Sequence, residues 1–332
     1  MRKTSPLNMN LGKAVMLVTG LFLTVMIVFL SATGARAAAS GTVADAGQGR
    51  STKVHMPDAP GKETITADNI VIDISNAADG YIVASYTGTN KKPKLQISKT
   101  GSEPYLYDLN AGKDEVFPLT EGSGQYQVTA YENLAGTEYV TIAADSMDVS
   151  LDDEKGPFLY PSQYVDFTQK SKAVALGQEL AASAKDEIGI ITNIYDYVVG
   201  NLQYDLEKAE KAAKGELPGY LPDIDETLRT GKGICFDYAA VMTAMLRSQG
   251  IPAQLQIGYA DDIYHAWISV YTKEKGLIHN IIEFDGKNWT LMDPTPRLPP
   301  HPVRHHSLWA TASHTTQCTP IDTHHTNGRI HI

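Results

Sequence analysis

The sequence predicts an α+β chain in which a small all-β sandwich precedes a core built from a helix packed on an antiparallel sheet. Three observations lead there. Short alternating runs bounded by turn residues fill positions 69–151. Apolar residues then recur at helical spacing, in Glu187 to Val199 and again after Cys235. Alternation returns around Tyr264–Tyr271 and Trp289–Asp293.

Composition sets the outer bounds. With 332 residues, 42% hydrophobic and 20% charged, the chain has room for two or three domains and the apolar content to bury their cores. The formal charge of −10 and the lack of a basic block in the body argue against nucleic acid as a partner. Two cysteines exclude a disulfide-stapled miniprotein and a Cys-rich zinc module.

In chain order, residues 1–37 read as a secretory signal peptide. Arg2, Lys3 and Lys13 precede the 17-residue apolar-rich run Ala14–Leu30, and Ala35-Arg36-Ala37 is a small-x-small cleavage site. An uncleaved anchor is the alternative, since 17 residues is the lower edge of a bilayer span. Cleavage leaves 24 basic against 38 acidic residues, an acidic product expected outside the cytoplasmic membrane with no stable membrane span. Residues 38–66, rich in small and polar residues, read as a flexible linker.

Residues 67–155 carry the sandwich pattern. Val71–Ile74, Tyr81–Tyr86, Leu95–Ile97, Tyr126–Tyr131 and Tyr139–Ile142 alternate between turns such as Asp79-Gly80 and Gly122-Ser123-Gly124. About seven strands are expected, and with no cluster of chemical residues the module reads as a spacer or docking unit. Gly156-Pro157 opens the region 156–295, with helices expected over Val174–Ala184 and Glu187–Val199. Asp223-Ile224-Asp225-Glu226 and Asp261-Asp262 read as solvated loop acids. The last stretch, 296–332, holds seven of the ten histidines and one acidic residue. It reads as a disordered or out-of-frame tail, with metal binding by His305-His306 and His324-His325 the lesser alternative.

The chemistry gathers after Gly231. Tyr238, Val241, Met242, Met245 and Leu246 predict an amphipathic helix, with Gly250 at its C-terminus and Pro252 preventing continuation. Cys235 then falls in the first helical turn, where unpaired N–H groups favour a thiolate. On the following strand His265, Trp267, Ser269 and Tyr271 share one face, and Ala266, Ile268 and Val270 the other. Asp293 ends the strand Trp289–Asp293, before Pro294. Cys235, His265 and Asp293 thus form a nucleophile, base and orienter in order on helix, strand and strand. One geometric condition attaches. Asp285-Gly286 is a hairpin signal between Ile278–Phe284 and Lys287–Asp293, and a plain meander would place His265 and Asp293 at opposite ends of the sheet. The triad needs the Asp293 strand antiparallel beside the His265 strand, with Ile278–Phe284 at the outer edge.

Gly233-Ile-Cys235-Phe-Asp-Tyr-Ala239, Leu246-Arg-Ser-Gln-Gly250-Ile-Pro252, Gly258-Tyr259, His265-Ala-Trp267 and Asp293-Pro-Thr295 resemble the core of the bacterial transglutaminase-like superfamily over about residues 160–295. The resemblance implies a papain-like α+β core, with Cys235 as nucleophile, His265 as base and Asp293 as orienter. It also implies a secreted or cell-surface cysteine enzyme of amide bonds, acting on a protein or peptide substrate without a cofactor. The Cys235 N–H and an upstream donor, Gln203 or Tyr204, are the expected oxyanion partners. Two other readings stand beside it: a non-catalytic cell-surface or cell-wall binding module on the same fold, and a structural Cys235–Cys318 disulfide.

Overall fold

The computed structural model describes residues 54–260, 263–284, 289–291 and 329–331, all within one compact unit. The readings made for residues 1–37, for Asp293 and for most of 296–332 lie outside these residues.

The sandwich forms from β1 (Thr64–Ala67), β2 (Ile70–Asp73), β3 (Tyr81–Tyr86), β4 (Lys94–Lys99), β5 (Tyr105–Asp108), β6 (Asp114–Pro118), β7 (Gly124–Ala135) and β8 (Glu138–Val149). A final short strand, β15 (Arg329–His331), pairs antiparallel with β8. One sheet has the order β1-β2-β3-β6 and the other β15-β8-β7-β4-β5. Their inward residues, among them Ile72, Ile82, Leu95, Phe117 and Val128, have no exposed surface, as period-two alternation requires.

The second half of the stretch read as a flexible linker is held in place. Val54 packs against the second core, the Asp58 N–H donates to the Tyr81 hydroxyl at 3.1 Å, and Asn76 Nδ2 donates to the Asp58 carbonyl at 2.9 Å. Small polar residues satisfy their backbone on the sandwich surface here, which composition alone does not reveal.

The second core contains α1 (Lys172–Ala182), α2 (Glu187–Asn201), β9 (Gln203–Tyr204), α3 (Leu206–Ala213), α4 (Ile224–Thr230), β10 (Lys232–Gly233), α5 (Cys235–Ser248), β11 (Ala253–Ala260), β12 (Ile263–Thr272), β13 (Gly276–Phe284) and β14 (Trp289–Leu291). The loop acids expected at 223–226 are instead a helix start. The Asp223 carboxylate accepts from the Glu226 N–H at 2.8 Å, and Asp225 and Glu226 occupy the first turn of α4, where the helix dipole favours negative charge. Asp205 caps α3 in the same way through the Lys208 N–H.

α5 differs from its expected amphipathic form, because every one of its 14 residues is buried. Helices α1, α2 and α4 pack on it, as do strands β11 and β12, and a helix covered on all sides has no solvent face. Ala266, Ile268 and Val270 are fully buried with it. Gly250 takes the left-handed conformation after the helix (φ 68°), and Ile251 N donates to the Leu246 carbonyl. The Arg247 side chain bonds the Ala253 carbonyl at 3.0 Å and the Tyr160 carbonyl at 2.6 Å, tying α5 to the segment that arrives from the sandwich. That segment is itself buried at Gly156, Pro157 and Phe158, and Tyr164 packs against both cores.

The sheet is the meander β11-β12-β13-β14, antiparallel throughout. This corrects the strand order that the triad required. Both β12–β13 and β13–β14 are local pairs joined by short connections, the arrangement that chain connectivity favours. Between Ile268 and Val270 the β12–β13 register slips. There Asn280 adopts a positive φ of 48°, and its N–H donates to Ser269 Oγ at 3.0 Å.

Candidate active site

Cys235 occupies the first position of α5, 2% exposed. The two-residue parallel pair β9–β10 sits directly ahead of it, with Gln203 opposite Lys232 and Tyr204 opposite Gly233. This pairing brings Tyr204 to the nucleophile turn. Tyr204 hydrogen-bonds the Cys235 thiol, and the backbone N–H groups of Phe236 and Cys235 are also directed at the sulfur.

The electrostatics depart from the simple helix-terminus expectation. Burial pushes the Cys235 thiol up to about 12, and the nearby Asp237 charge adds to the rise, while Phe236, Tyr204 and the Cys235 N–H only partly offset it. Desolvation in a site 2% exposed outweighs the half charge of a helix end. A sulfur in this setting ionises at neutral pH only if a positive group is brought against it. Burial and the adjacent thiol also keep the Tyr204 hydroxyl protonated, so it remains a donor.

The Tyr271 N–H donates to the Pro252 carbonyl at 2.9 Å, so the far end of β12 meets the C-terminal end of α5. From there β12 runs back about 20 Å to His265, at roughly 3.3 Å per residue. α5 runs back about 21 Å to Cys235, at 1.5 Å per residue. The His265 Cα pairs with Gly258. Asp293 lies outside the described residues. β14, which leads to it, runs parallel to β12 with β13 between them, and Leu291 pairs with Ile282.

Three side chains beside the nucleophile carry no role in the sequence reading. Asp237 is fully buried. Its Oδ2 accepts from the Ile234 N–H at 2.8 Å and from Lys208 Nζ at 2.7 Å, and its Oδ1 accepts from the Tyr220 hydroxyl. A carboxylate three residues after the helix cap is the signal for the first of these bonds. Nothing local marks Lys208, 29 residues away, or Tyr220. Gly233 is required by the same group, since a Cβ there would lie 2.6 Å from Asp237 Cβ. Among the described residues no cluster of three His, Cys, Asp or Glu side chains could hold a metal ion.

Residues 174–294 match the family model of the transglutaminase-like superfamily. The UPF0252 protein MJ1282 of Methanocaldococcus jannaschii is 27% identical over 236 residues, 64% of each chain, so the match spans under two thirds of that relative. Among solved structures, a candidate cysteine protease of Cytophaga hutchinsonii is 16% identical, with a TM-score of 0.32 over 67% of this chain and 73% of that one. A TGase is 17% identical, with a TM-score of 0.27 over 60% of this chain and 49% of that one. At these scores neither structure bears on the chemistry.

Proposed function

We propose, on the premise that residues 174–294 belong to the transglutaminase-like superfamily, that this chain is an exported cysteine enzyme of amide bonds. Its substrate is a glutamine side chain or a peptide bond of a protein, on or near the cell surface, reached by way of the N-terminal signal. One observation carries the reading: the Cys235 thiol sits at a helix start with Tyr204 and two backbone N–H groups directed at it.

In the proposed cycle His265 takes the Sγ proton, and the imidazolium supplies the positive charge that the buried sulfur lacks. The sulfur attacks the carbonyl carbon, and the Cys235 N–H and Tyr204 hydroxyl hold the oxyanion. The C–N bond breaks, the amine leaves with the imidazolium proton, and a thioester remains. Water or a second amine then attacks the thioester and returns the thiol. Asp293 enters as the orienter of His265 through its Asp-Pro-Thr motif alone.

Intact mass after incubation with a glutamine-containing protein and a primary amine tests this directly. Amine incorporation, deamidation and backbone cleavage each give a distinct mass change. No change with the wild type, under conditions where it is folded, would remove the enzyme reading. A binding module on the same fold is favoured by one feature, the burial of the thiol, since an inert cysteine is a buried one.

A further inference from the structure

We infer that Asp237, Lys208 and Tyr220 form a positioning cluster that sets both the geometry and the charge balance of the Cys235 turn. The proposal concerns the thiol's surroundings and stands whether or not His265 is the base.

Its geometry is closed on every side. Asp237 lies two residues after Cys235 on α5, and its carboxylate reaches back to the Ile234 N–H at 2.8 Å, bracketing the nucleophile between its two attachment points. Lys208 arrives from α3, its Nζ 2.7 Å from Oδ2 and 4.1 Å from the Tyr220 ring centroid. Tyr220 arrives from the loop after α3 and bonds both the carboxylate and the ammonium. Its ring also packs edge-on against Phe236 at 6.3 Å. A fully buried carboxylate needs such partners, because an unpaired charge there is strongly destabilising. Helix α3 has no buried residue of its own, and this cluster together with Ala209, packed against Ile234 and Phe236, attaches it to the nucleophile turn.

The cluster also acts on the sulfur. Asp237 is the charged neighbour that disfavours the thiolate, and Lys208 is the cation paired with it, 2.7 Å away. Among the titratable groups around the cluster, Asp237, Asp223 and Asp205 act on Tyr220, and Cys235 and Tyr238 act on Tyr204 beside it. Neutralising Asp237 and neutralising Lys208 should therefore move the thiol in opposite directions. A purely structural role gives no such pair of signs.

The test is the pH midpoint of Cys235 alkylation by iodoacetamide in full-length protein carrying Cys318→Ser, so that one thiol reacts. Asp237→Asn, which keeps the shape, should lower the midpoint by about one unit, the scale of a removed like charge. Lys208→Met should raise it. The double variant Lys208→Met/Asp237→Asn should return below the Lys208→Met value and recover its thermal midpoint, which covers the case that Lys208→Met alone folds poorly. Repeating the Asp237→Asn pair in a His265→Ala background separates this proposal from the catalytic one. There the shift persists, even if His265 proves uninvolved. Midpoints of Asp237→Asn and the parent within about 0.3 units, or shifts of the same sign in both single variants, would overturn it.

Discussion

The two cores hold their polar groups in opposite ways. In the sandwich the buried surface is mostly apolar, with Asp73, Glu115 and Thr129 its buried polar residues, and Tyr126 reaches its partner at the rim, the Gly122 carbonyl 2.9 Å away. In the second core the central helix carries Cys235, Asp237, Thr243, Arg247 and Ser248 entirely buried. The sandwich is stabilised mostly by removing apolar area from water. The helix instead holds a charged carboxylate, a guanidinium and a thiol in low dielectric, each dependent on named partners. A scaffold tolerates no polar group that it can omit, whereas a reactive site is built from them.

If that contrast is right, damage to one core should spare the properties of the other. The largest effect is expected at the nucleophile. Cys235→Ala should abolish amide turnover in the mass assay while the thermal midpoint stays close to wild type. Asp293→Ala should lower turnover on the roughly 10⁴-fold scale of a lost orienter. Unchanged turnover in that variant would show that the observed meander is the working strand order and that another group orients His265.

Next come the cores themselves. Phe117→Ala in the sandwich should cost about 3–5 kcal/mol in denaturant unfolding and leave the Cys235 alkylation profile unmoved. Arg247→Ala strands the Ala253 and Tyr160 carbonyls and should cost about 2–3 kcal/mol, as a lost charged hydrogen-bond donor. A smaller effect is expected on the alkaline limb. Without the His265 imidazolium the folded Cys235 thiol is raised to about 12 above an ordinary value near 8.5. Its contribution to stability is therefore complete below the ordinary value and is lost as pH rises toward 12. Introduced into a His265→Ala background, Cys235→Ala should accordingly flatten the fall in stability above about pH 9, seen in urea midpoints. The smallest change is Thr243→Val. Among the described residues, Thr243 Oγ1 is a buried oxygen without a partner, so its loss should be neutral or stabilising by up to about 1 kcal/mol.

What was legible in the sequence follows the same division. Alternation in Tyr81–Tyr86 and Tyr126–Tyr131 predicts strands because a sandwich reads out period two directly. The Ala, Leu and Ile patterns of 174–184 and 187–199 predict α1 and α2 to within two residues. Helix α4 was missed because Asp223 signals a cap and a loop equally well until its partner N–H is known. The strand order is not legible because the triad motif argues for one pairing while the short turns argue for another. At the site, Cys235 is legible from the glycines and helix around it, and Gln203 and Tyr204 from their place ahead of it. Lys208 and Tyr220 are not, since a buried ion pair across 29 residues leaves no local pattern.

The most direct test of the central claim compares the pH dependence of Cys235 alkylation in the wild type and in His265→Ala, both carrying Cys318→Ser. The described surroundings alone hold the thiol near 12, so His265→Ala should react as a strongly suppressed thiol. The wild type should titrate several units lower, at or below the ordinary value near 8.5, because the imidazolium offsets the buried negative charge. Superimposable profiles would contradict the account and leave Cys235 as a buried structural thiol.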